Sequence, residues 1–402
     1  MGELTSLEAA VVEAAKAAPM LDQVQAWAAI NSGSRNLEGL ATMAGLLAGA
    51  FSPLPGSLTL VDPAPVETVR PDGHTAPLDH GRNLHLKVRP EAPVQLLFTG
   101  HYDTVFAADH PFQQVFWREE GVLGGPGVAD MKSGIAIMLA ALEAVEESPL
   151  AARIGYEVIL NSDEEVGSPG SAALIAQAAR GKRAALTYEP SALPDGTLAG
   201  ARPGSGNFSI VVRGRSAHAG RNPEDGRNAL VAAADLALRL SKARAPGLKI
   251  NPAKIDGGGP NNVVPDHAVL RVNLRPATPA GQDQAQMLID ETVAAIAAEH
   301  DVVIHAHGGF GRPPKPMTPD AQRLFELVRD CGRDLGQQIG WRDTGGVCDG
   351  NNIAACGVPV VDTMGARGGS IHSSEEFLIV ESLGERAALS ALTILRLAEG
   401  RS

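Results

Sequence analysis

Short apolar runs alternate with longer amphipathic or apolar segments along the first half of the chain. The runs "VQLLFTG" (94–100), "RIGYEVIL" (153–160) and "RAALTYEP" (183–190) predict buried strands. Between them, "SGIAIMLAALEAVEES" (133–148) and "SPGSAALIAQAARG" (168–181) have the length and pattern of helices. This β-α-β-α-β alternation is typical of an α/β domain with a mostly parallel sheet.

The segments that flank this block are less regular. Residues 1–50 have a helical pattern, and two short β-like runs follow at Ser57–Val61 and Asn83–Val88. In the second helix of the block, Ser168 is the expected N-cap and Pro169 the expected first helical residue. These signals predict that this helix begins directly after the preceding loop.

The pattern changes after about residue 203. Strands and helices now follow the order β-α-β-β-α-β, which is the split βαβ arrangement of ferredoxin-like domains. The predicted elements are a strand at 207–214, a helix at 226–243, strands near 247–255 and at 268–276, a helix at 279–300 and a strand at 301–309.

A Pro-rich stretch, "GRPPKPMTPD" (311–320), follows this middle block, and residues 320–402 resume the α/β pattern. We therefore expect a large α/β domain, made of residues 1–203 and 314–402, and a small α+β domain, residues 204–313, inserted into it. The length of 402 residues also favours two domains over one.

Composition and charge exclude several classes of function. The net charge is −12, with 34 Lys+Arg against 46 Asp+Glu, which makes nucleic acid and anionic membranes poor partners. No apolar run reaches the roughly 18–20 residues that span a bilayer, and the N-terminus lacks the order of a signal peptide. Cys331, Cys348 and Cys356 have no C-x-x-C spacing, so we expect reduced thiols in a cytoplasmic protein.

Acidic and histidine residues follow the predicted strands of the large domain. They are His101, Asp103, Asp130, Asp163, Glu164, Glu165, Glu189 and, near the C-terminus, His372. Each one alone is more often a cap or a loop residue, but ligands of open α/β sheets gather at the carboxyl ends of strands. Histidines and carboxylates without cysteine suit Zn²⁺. The carboxylates exceed what one zinc needs, which favours a two-metal site with a bridging carboxylate.

Six motifs in a fixed order resemble those of the M20 metallopeptidase family. They are "HYDTV", "GVADMKSG", "DEEVGS", "YEPS", "SAHAG" and "IHSSEE", and they are most similar to the carboxypeptidase G2/glutamate carboxypeptidase branch. The resemblance covers nearly the whole chain, including the inserted domain. It implies a di-zinc hydrolase that cuts an amide bond next to a free carboxylate and releases a C-terminal amino acid.

The same resemblance implies a ligand for each zinc. His101 and Glu189 would bind one zinc, Glu165 and His372 would bind the other, and Asp130 would bridge them. Co²⁺ or Mn²⁺ are possible substitutes for zinc. The peptide bond that follows the bridging aspartate would be cis.

Three further residues receive catalytic roles from the resemblance. Asp103 would hydrogen-bond behind His101. Glu164 would not bind metal but would act as the general base on a zinc-bridging water. His218 of the inserted domain would reach into the site of the other subunit and stabilise the oxyanion. A homodimer formed through the inserted domain is therefore implied.

Substrate binding is expected from residues outside the zinc ligands. The candidates are Asn262, Arg275, Arg312, Gly345 and Gly346, with Asp349 as support. Arginine suits a substrate carboxylate because its guanidinium binds one bidentately. Glycine allows close approach of the backbone to a ligand. The alternatives are a solvated surface charge for each arginine and an ordinary turn for the glycines.

The released amino acid is left open. The stretch at 195–207 is expected to line the pocket for it. Glutamate-releasing members tend to carry a basic residue where Thr197 stands here, and Arg202 lies further on. An N-acyl amino acid deacylase or a dipeptidase on the same site is the alternative enzyme, and a non-catalytic dimeric binding protein is the alternative of another class.

Overall fold

The computed structural model of the protein describes residues 4–243 and 245–401. Within these ranges the helices are α1 (Ser6–Ala17), α2 (Met20–Ala28), α3 (Leu37–Phe51), α4 (Ser133–Glu146), α5 (Ala172–Ala179), α6 (Ala229–Lys242), α7 (Pro279–His300), α8 (Pro319–Asp334), α9 (Asp349–Ala355) and α10 (Ser382–Ala398).

The strands of the same ranges are β1 (Ser57–Val61), β2 (Glu67–Val69), β3 (Thr75–Pro77), β4 (Asn83–Val88), β5 (Val94–His101), β6 (Phe116–Glu119), β7 (Val122–Gly124), β8 (Ile154–Asn161), β9 (Ala184–Thr187), β10 (Leu198–Ala199), β11 (Ser205–Arg213), β12 (Leu248–Gly257), β13 (His267–Pro276), β14 (Val303–Arg312), β15 (Trp341–Arg342), β16 (Val360–Val361), β17 (Gly368–Gly369) and β18 (Phe377–Ile379).

The central sheet has the strand order β1-β4-β8-β5-β9-β16. The strands from β8 to β16 pair in parallel, and β1 and β4 add an antiparallel edge. The predicted mostly parallel sheet is confirmed. Because parallel strands end at the same edge, residues that follow β5, β8 and β9 come together: His101 lies in register with Asn161, and Thr99 with Thr187.

Helix α4 fills the core behind this sheet. Its continuous apolar sequence is buried along almost the whole helix, for example at Ile135, Met138 and Leu142. It packs against α1, α2 and α10. In the described part of the chain, no helix has both the length and the apolar character that crossing a membrane would require.

The middle of the chain forms a second, fully antiparallel sheet with the order β12-β13-β11-β14. Helices α6 and α7 pack on this sheet around a core of their own, which includes Phe208, Leu236, Leu270 and Ile289. The element order β11-α6-β12-β13-α7-β14 is the split βαβ order that the sequence predicted. The domain limits at 204–313 stay a prediction.

The predicted start of the helix at 168–181 was wrong. Helix α5 begins at Ala172, with Ser171 at the N-cap position. Ser168 has a positive φ of 56°, and its hydroxyl donates to Asp349 Oδ1 at 2.6 Å. Because a distant carboxylate takes this hydroxyl, Ser168 does not cap the helix, and Pro169 lies in the turn before it.

A hairpin that the hydrophobic pattern did not reveal joins the two sheets. It consists of β2 and β3, between the first two strands of the central sheet. Val69 of β2 packs against Val211 and Val269 on the inserted domain, and Arg271 Nη2 donates to the carbonyl oxygen of Val69 at 2.6 Å. The hairpin therefore ties the large α/β part of the chain to the inserted sheet.

The Val69→Ala variant tests this contact. Val69 is 8% exposed, so removing its two methyl groups should lower the free energy of unfolding by about 1–2 kcal/mol. The control is Val303→Ala, because Val303 is 57% exposed and its truncation should cost less than about 0.5 kcal/mol. Urea unfolding measures both variants, and equal midpoints would contradict the packed hairpin.

Candidate metal centre and substrate cleft

Acidic and histidine side chains lie together at one edge of the central sheet, where neighbouring parallel strands end. His101 is the last residue of β5. Glu164 and Glu165 lie in a short 3₁₀ turn after β8, and Glu189 follows β9. Asp130 lies in the bend that leads into α4. The residues predicted from separate motifs thus meet in space.

The carboxylate of Asp130 lies between two imidazoles. Its Oδ1 is 3.1 Å from His101 Nε2, and its Oδ2 is 3.3 Å from His372 Nε2. Glu165 Oε2 is 3.0 Å from the same nitrogen of His372, and Glu189 Oε2 is 3.7 Å from His101 Nε2. The peptide bond after Asp130 is cis, as the family resemblance implied.

These side chains offer ligand atoms at metal-binding separations. One donor atom each of His101, Asp130 and Glu165 lie within 4.8 Å of one another, and so do donor atoms of His101, Glu164 and Glu189. Imidazoles and carboxylates without a thiolate fit Zn²⁺ and related divalent ions. The cluster therefore has the composition of a divalent metal centre.

The electrostatics of the cluster also favour a cation. Burial, and next the charge of Asp130, raise the pKa of Glu165 to about 7. Burial raises the pKa of Glu189. It also raises the pKa of Glu164 well above its ordinary value, although the guanidinium of Arg312 acts in the opposite direction. Buried carboxylates that repel one another are stabilised when divalent cations bind between them.

Asp103 positions both glutamates as well as the histidine. Its Oδ1 accepts the backbone N–H of Glu164 at 3.1 Å, and its Oδ2 accepts that of Glu165 at 3.2 Å. The hydroxyl of Ser34 donates to Oδ2 at 2.6 Å. His101 Nδ1 lies 3.0 Å from the backbone oxygen of Asp103. The sequence offered no signal for Ser34, which approaches from the loop between α2 and α3.

Glu376 performs a similar task for Asp130. Its carboxylate accepts the backbone N–H of Gly127 at 3.2 Å, of Ala129 at 2.9 Å and of Asp130 at 3.0 Å. Burial, and next the charge of Asp130, raise its pKa to about 7. Glu376 belongs to the "IHSSEE" motif, but the motif gave it no role. The structure makes it the residue that fixes the backbone of the central carboxylate.

Arg312 lies against the predicted general base. The guanidinium of Arg312 donates from Nη2 to Glu164 Oε1 at 2.6 Å and from Nη1 to Asp349 Oδ1 at 2.5 Å. It also donates to Asn352 Oδ1 and Ser168 Oγ. Asp349 thus supports the site through Arg312. Since protein groups occupy this guanidinium, its predicted contact with a substrate carboxylate would require an exchange of partners.

His218 and Asn262 are adjacent on the inserted domain. Backbone pairing joins His218 to Val263, and the N–H of Ala219 donates to the carbonyl of Asn262 at 2.9 Å. His218 is exposed, and its Nδ1 accepts the N–H of Gly220 at 3.1 Å. The Nε2 atom is therefore the nitrogen that can serve another molecule. In the described part of this single chain, neither side chain contacts the metal cluster.

Two arginines hold the predicted glycine turn. Arg275 Nη1 donates to the carbonyl of Gly345 at 3.0 Å, and Arg202 Nη1 donates to the carbonyl of Gly346 at 3.2 Å. Arg275 is itself oriented by Asn273, whose Oδ1 accepts from its Nε at 3.0 Å. This turn therefore connects the inserted domain to the large domain beside the cluster.

A cleft of about 480 Å³ opens beside the cluster. Asp130, Glu165 and His372 of the cluster line it, and so do Ala199 and Arg202. The stretch at 195–207 was expected to line such a pocket, and part of it does. Thr197 instead lines a separate surface cavity, so it does not correspond to a residue of this cleft.

The fold and the cluster define a hydrolase of the metallopeptidase and amidohydrolase class. The model of the family described as Peptidase family M20/M25/M40 matches residues 97–396. This match spans well over half of the chain, and the chain belongs to that family.

Known proteins agree with this assignment. The chain is 29% identical to carboxypeptidase G2 of Pseudomonas sp. (strain RS-16), over 80% of this chain and 78% of that protein. It is 30% identical to succinyl-diaminopimelate desuccinylase of Thioalkalivibrio sulfidiphilus (strain HL-EbGR7), over 75% of this chain and 83% of the relative. The fold matches the M20 metallo-carboxypeptidase Sso-CP2 of Sulfolobus solfataricus with a TM-score of 0.70 at 15% identity, over 94% of this chain and 99% of that one.

The Glu376→Gln variant tests how the central carboxylate is held. An amide has one acceptor oxygen, so it cannot accept all the N–H groups that Glu376 now binds. We expect about 10–100-fold weaker metal binding, measured by competition with a chelator. The matched control is Glu375→Gln, because the Glu375 side chain is 71% exposed and pairs with Arg118. Equal affinities of the two variants would contradict the positioning role of Glu376.

Proposed function

We propose that this hydrolase uses two divalent metal ions, zinc in the first instance, to cleave an amide bond next to a free carboxylate and to release a C-terminal amino acid. The observation that carries the proposal is the position of Asp130. Its two oxygens face different imidazoles, at 3.1 Å from His101 and 3.3 Å from His372. Asp130 would thereby be the ligand that two metal ions share. His101 and Glu189 would then hold one ion.

Glu165 and His372 would hold the second ion. Two such ions supply Lewis acidity and lower the pKa of a bound water. Glu164 would move protons. Its carboxylate lies near His101 and Glu189, and its Oε1 accepts from Arg312 at 2.6 Å, which supports this role. It takes a proton from the attacking water and returns it to the leaving amine. Asp103 keeps Glu164 in place through the backbone N–H group.

The free carboxylate of the substrate would lie toward the inserted domain. Arg275 holds Gly345 of the glycine turn, and Gly346 of the same turn lines the cleft. Arg275 would bind the carboxylate by exchanging one of its present partners, since arginine pairs well with carboxylates, and Asn262 stays a predicted contact. His218, with Nε2 available, would stabilise the oxyanion in the site of a partner subunit. The proposal therefore includes a homodimer formed through residues 204–313.

A second enzymatic function uses the same cluster. The desuccinylase relative, 30% identical over 75% of this chain, favours removal of an acyl group from an amino acid. The catalytic residues would keep their roles, and only the part of the substrate that the cleft recognises would change. A dipeptidase is a third use of this site. A binding protein without catalysis is disfavoured because Glu164 and the ligand set are all present.

Paired variants of neighbouring glutamates separate proton transfer from metal binding. Glu164→Gln should keep about two metal ions per chain and lose about 10²–10⁴-fold in kcat, because the amide cannot accept a proton. Glu165→Gln should lose metal, because it removes a charged ligand. Metal content by mass spectrometry and hydrolysis of an N-acyl amino acid measure the two effects. Near wild-type turnover by Glu164→Gln would contradict its role as the base.

Complementation tests the role of His218 across subunits. Chains carrying His218→Ala and chains carrying Glu164→Gln are co-expressed with different tags, and the mixed dimer is isolated. One of its two sites would combine an intact Glu164 with an intact His218 of the partner, so activity should return although each parent is inactive. The control is the mixed dimer of two His218→Ala chains. A mixed dimer as inactive as this control would refute action in trans.

A further inference from the structure

Two sets of residues line the cleft. One set is the metal cluster itself. The lining residues outside the cluster, together called the apolar wall, are mainly uncharged and apolar. The apolar ones include Pro190, Ala192, Pro194, Ala199, Val347 and Phe377. A substrate side chain that enters the cleft away from the cluster would therefore contact apolar groups rather than charged ones.

Arg202 is the one ionised side chain outside the cluster among the described residues that line the cleft. Its Nε and Nη2 donate to the two oxygens of Asp362 at 2.8 and 3.1 Å. Its Nη1 donates to Thr344 Oγ1 at 3.3 Å and to the carbonyl of Gly346 at 3.2 Å. Lys315 also lies 2.8 Å from Asp362, but it does not line the cleft. The charge of Arg202 is thus neutralised by Asp362 and is not available to pair with a ligand.

Polar side chains of the same wall are engaged as well. The hydroxyl of Ser191 donates to the carbonyl of Leu193 at 2.8 Å. The hydroxyl oxygen of Thr363 accepts the N–H of Ala199 at 2.9 Å. An incoming charged group would lose its water and find no free counter-charge here, which is costly. An apolar group would gain from the same burial.

The glycine turn indicates which part of a substrate meets this wall. Gly346 lines the cleft, and the adjacent Gly345 is held by Arg275. If a free carboxylate lies near Arg275, as the proposed function requires, the amino acid that bears it lies between this turn and the cluster. Its side chain then faces the apolar wall.

We propose that the amino acid released by this hydrolase has an uncharged, apolar side chain, such as that of leucine or methionine, and that neither glutamate nor lysine is preferred. This inference rests on the proposed function, because it assigns the cleft to the leaving amino acid. It names Ala192, which is half-exposed and lines the cleft, as a position that sets the preference.

Three substrates with one common acyl group test the preference. They are the N-benzoyl derivatives of leucine, glutamate and lysine, with zinc-loaded protein. We expect kcat/KM for the leucine derivative to exceed that for each of the other two by at least about tenfold. Calorimetric binding of free leucine, glutamate and lysine to the same protein gives an order that does not depend on turnover, and leucine should bind most tightly.

A matched pair of variants tests the wall directly. Ala192→Lys places a free cation in the cleft and should raise kcat/KM for the glutamate derivative relative to leucine by about tenfold. Ala192→Met adds a side chain of similar length without charge and should keep the preference for leucine. Half-exposed Ala192 tolerates both changes without burying a new group in the core.

The outcomes are distinguishable. A glutamate or lysine derivative cleaved as well as the leucine derivative would overturn the inference and leave the hydrolase proposal intact. Absence of turnover on every substrate by protein that holds two zinc ions would refute the proposed function. The calorimetric order would then decide the preference alone: tighter leucine would support the apolar wall, and tighter glutamate or lysine would overturn it.

Discussion

Repulsion among buried carboxylates at one edge of the central sheet is the constraint on which the rest of the site depends. Glu164, Glu165 and Glu189 meet there because the parallel strands end together, and Asp130 joins them from the bend before α4. Burial makes their charges costly, and divalent cations are the groups that stabilise them most effectively. The surrounding loops are accordingly held by carboxylates that accept backbone N–H groups, as Asp103 does from two successive glutamates.

The same constraint links the inserted domain to proton transfer. Arg312 is the last residue of β14, so it is carried by the inserted sheet, yet its guanidinium contacts Glu164 and Asp349 of the large domain. On another side, the β2–β3 hairpin packs Val69 against that sheet. A rotation of the inserted domain would therefore disturb the ion pair between Arg312 and Glu164. The orientation of the inserted domain therefore determines whether Glu164 keeps its contact with Arg312.

The sequence predicted the regular elements well, and its motifs pointed to acidic and histidine residues that the structure brings together, because both leave local or ordered signals. Apolar periodicity gave the parallel strands and the split βαβ order, and six motifs pointed to the ligands. The features that the sequence did not predict share one cause. Each of them depends on a contact between segments that are far apart in the chain. Glu376 acts on amides roughly 250 positions earlier in the chain, and Ser168 turns away from α5 because Asp349 takes its hydroxyl. Val69 lies in a short strand that is buried only by a different domain.

In the proposed function, catalysis and specificity would depend on different residues of one cleft. The cluster residues would be fixed in type by the hydrolytic chemistry, because each would be a ligand, a base or a support for one. The chemistry does not constrain the side-chain types of the apolar wall. The charge of Arg202, which could otherwise select an acidic substrate, is paired with Asp362. Under the proposed function, a single side chain on that wall would change which amino acid is released without altering proton transfer by Glu164. This separation gives a physical reason why enzymes with one ligand set can act on different amides.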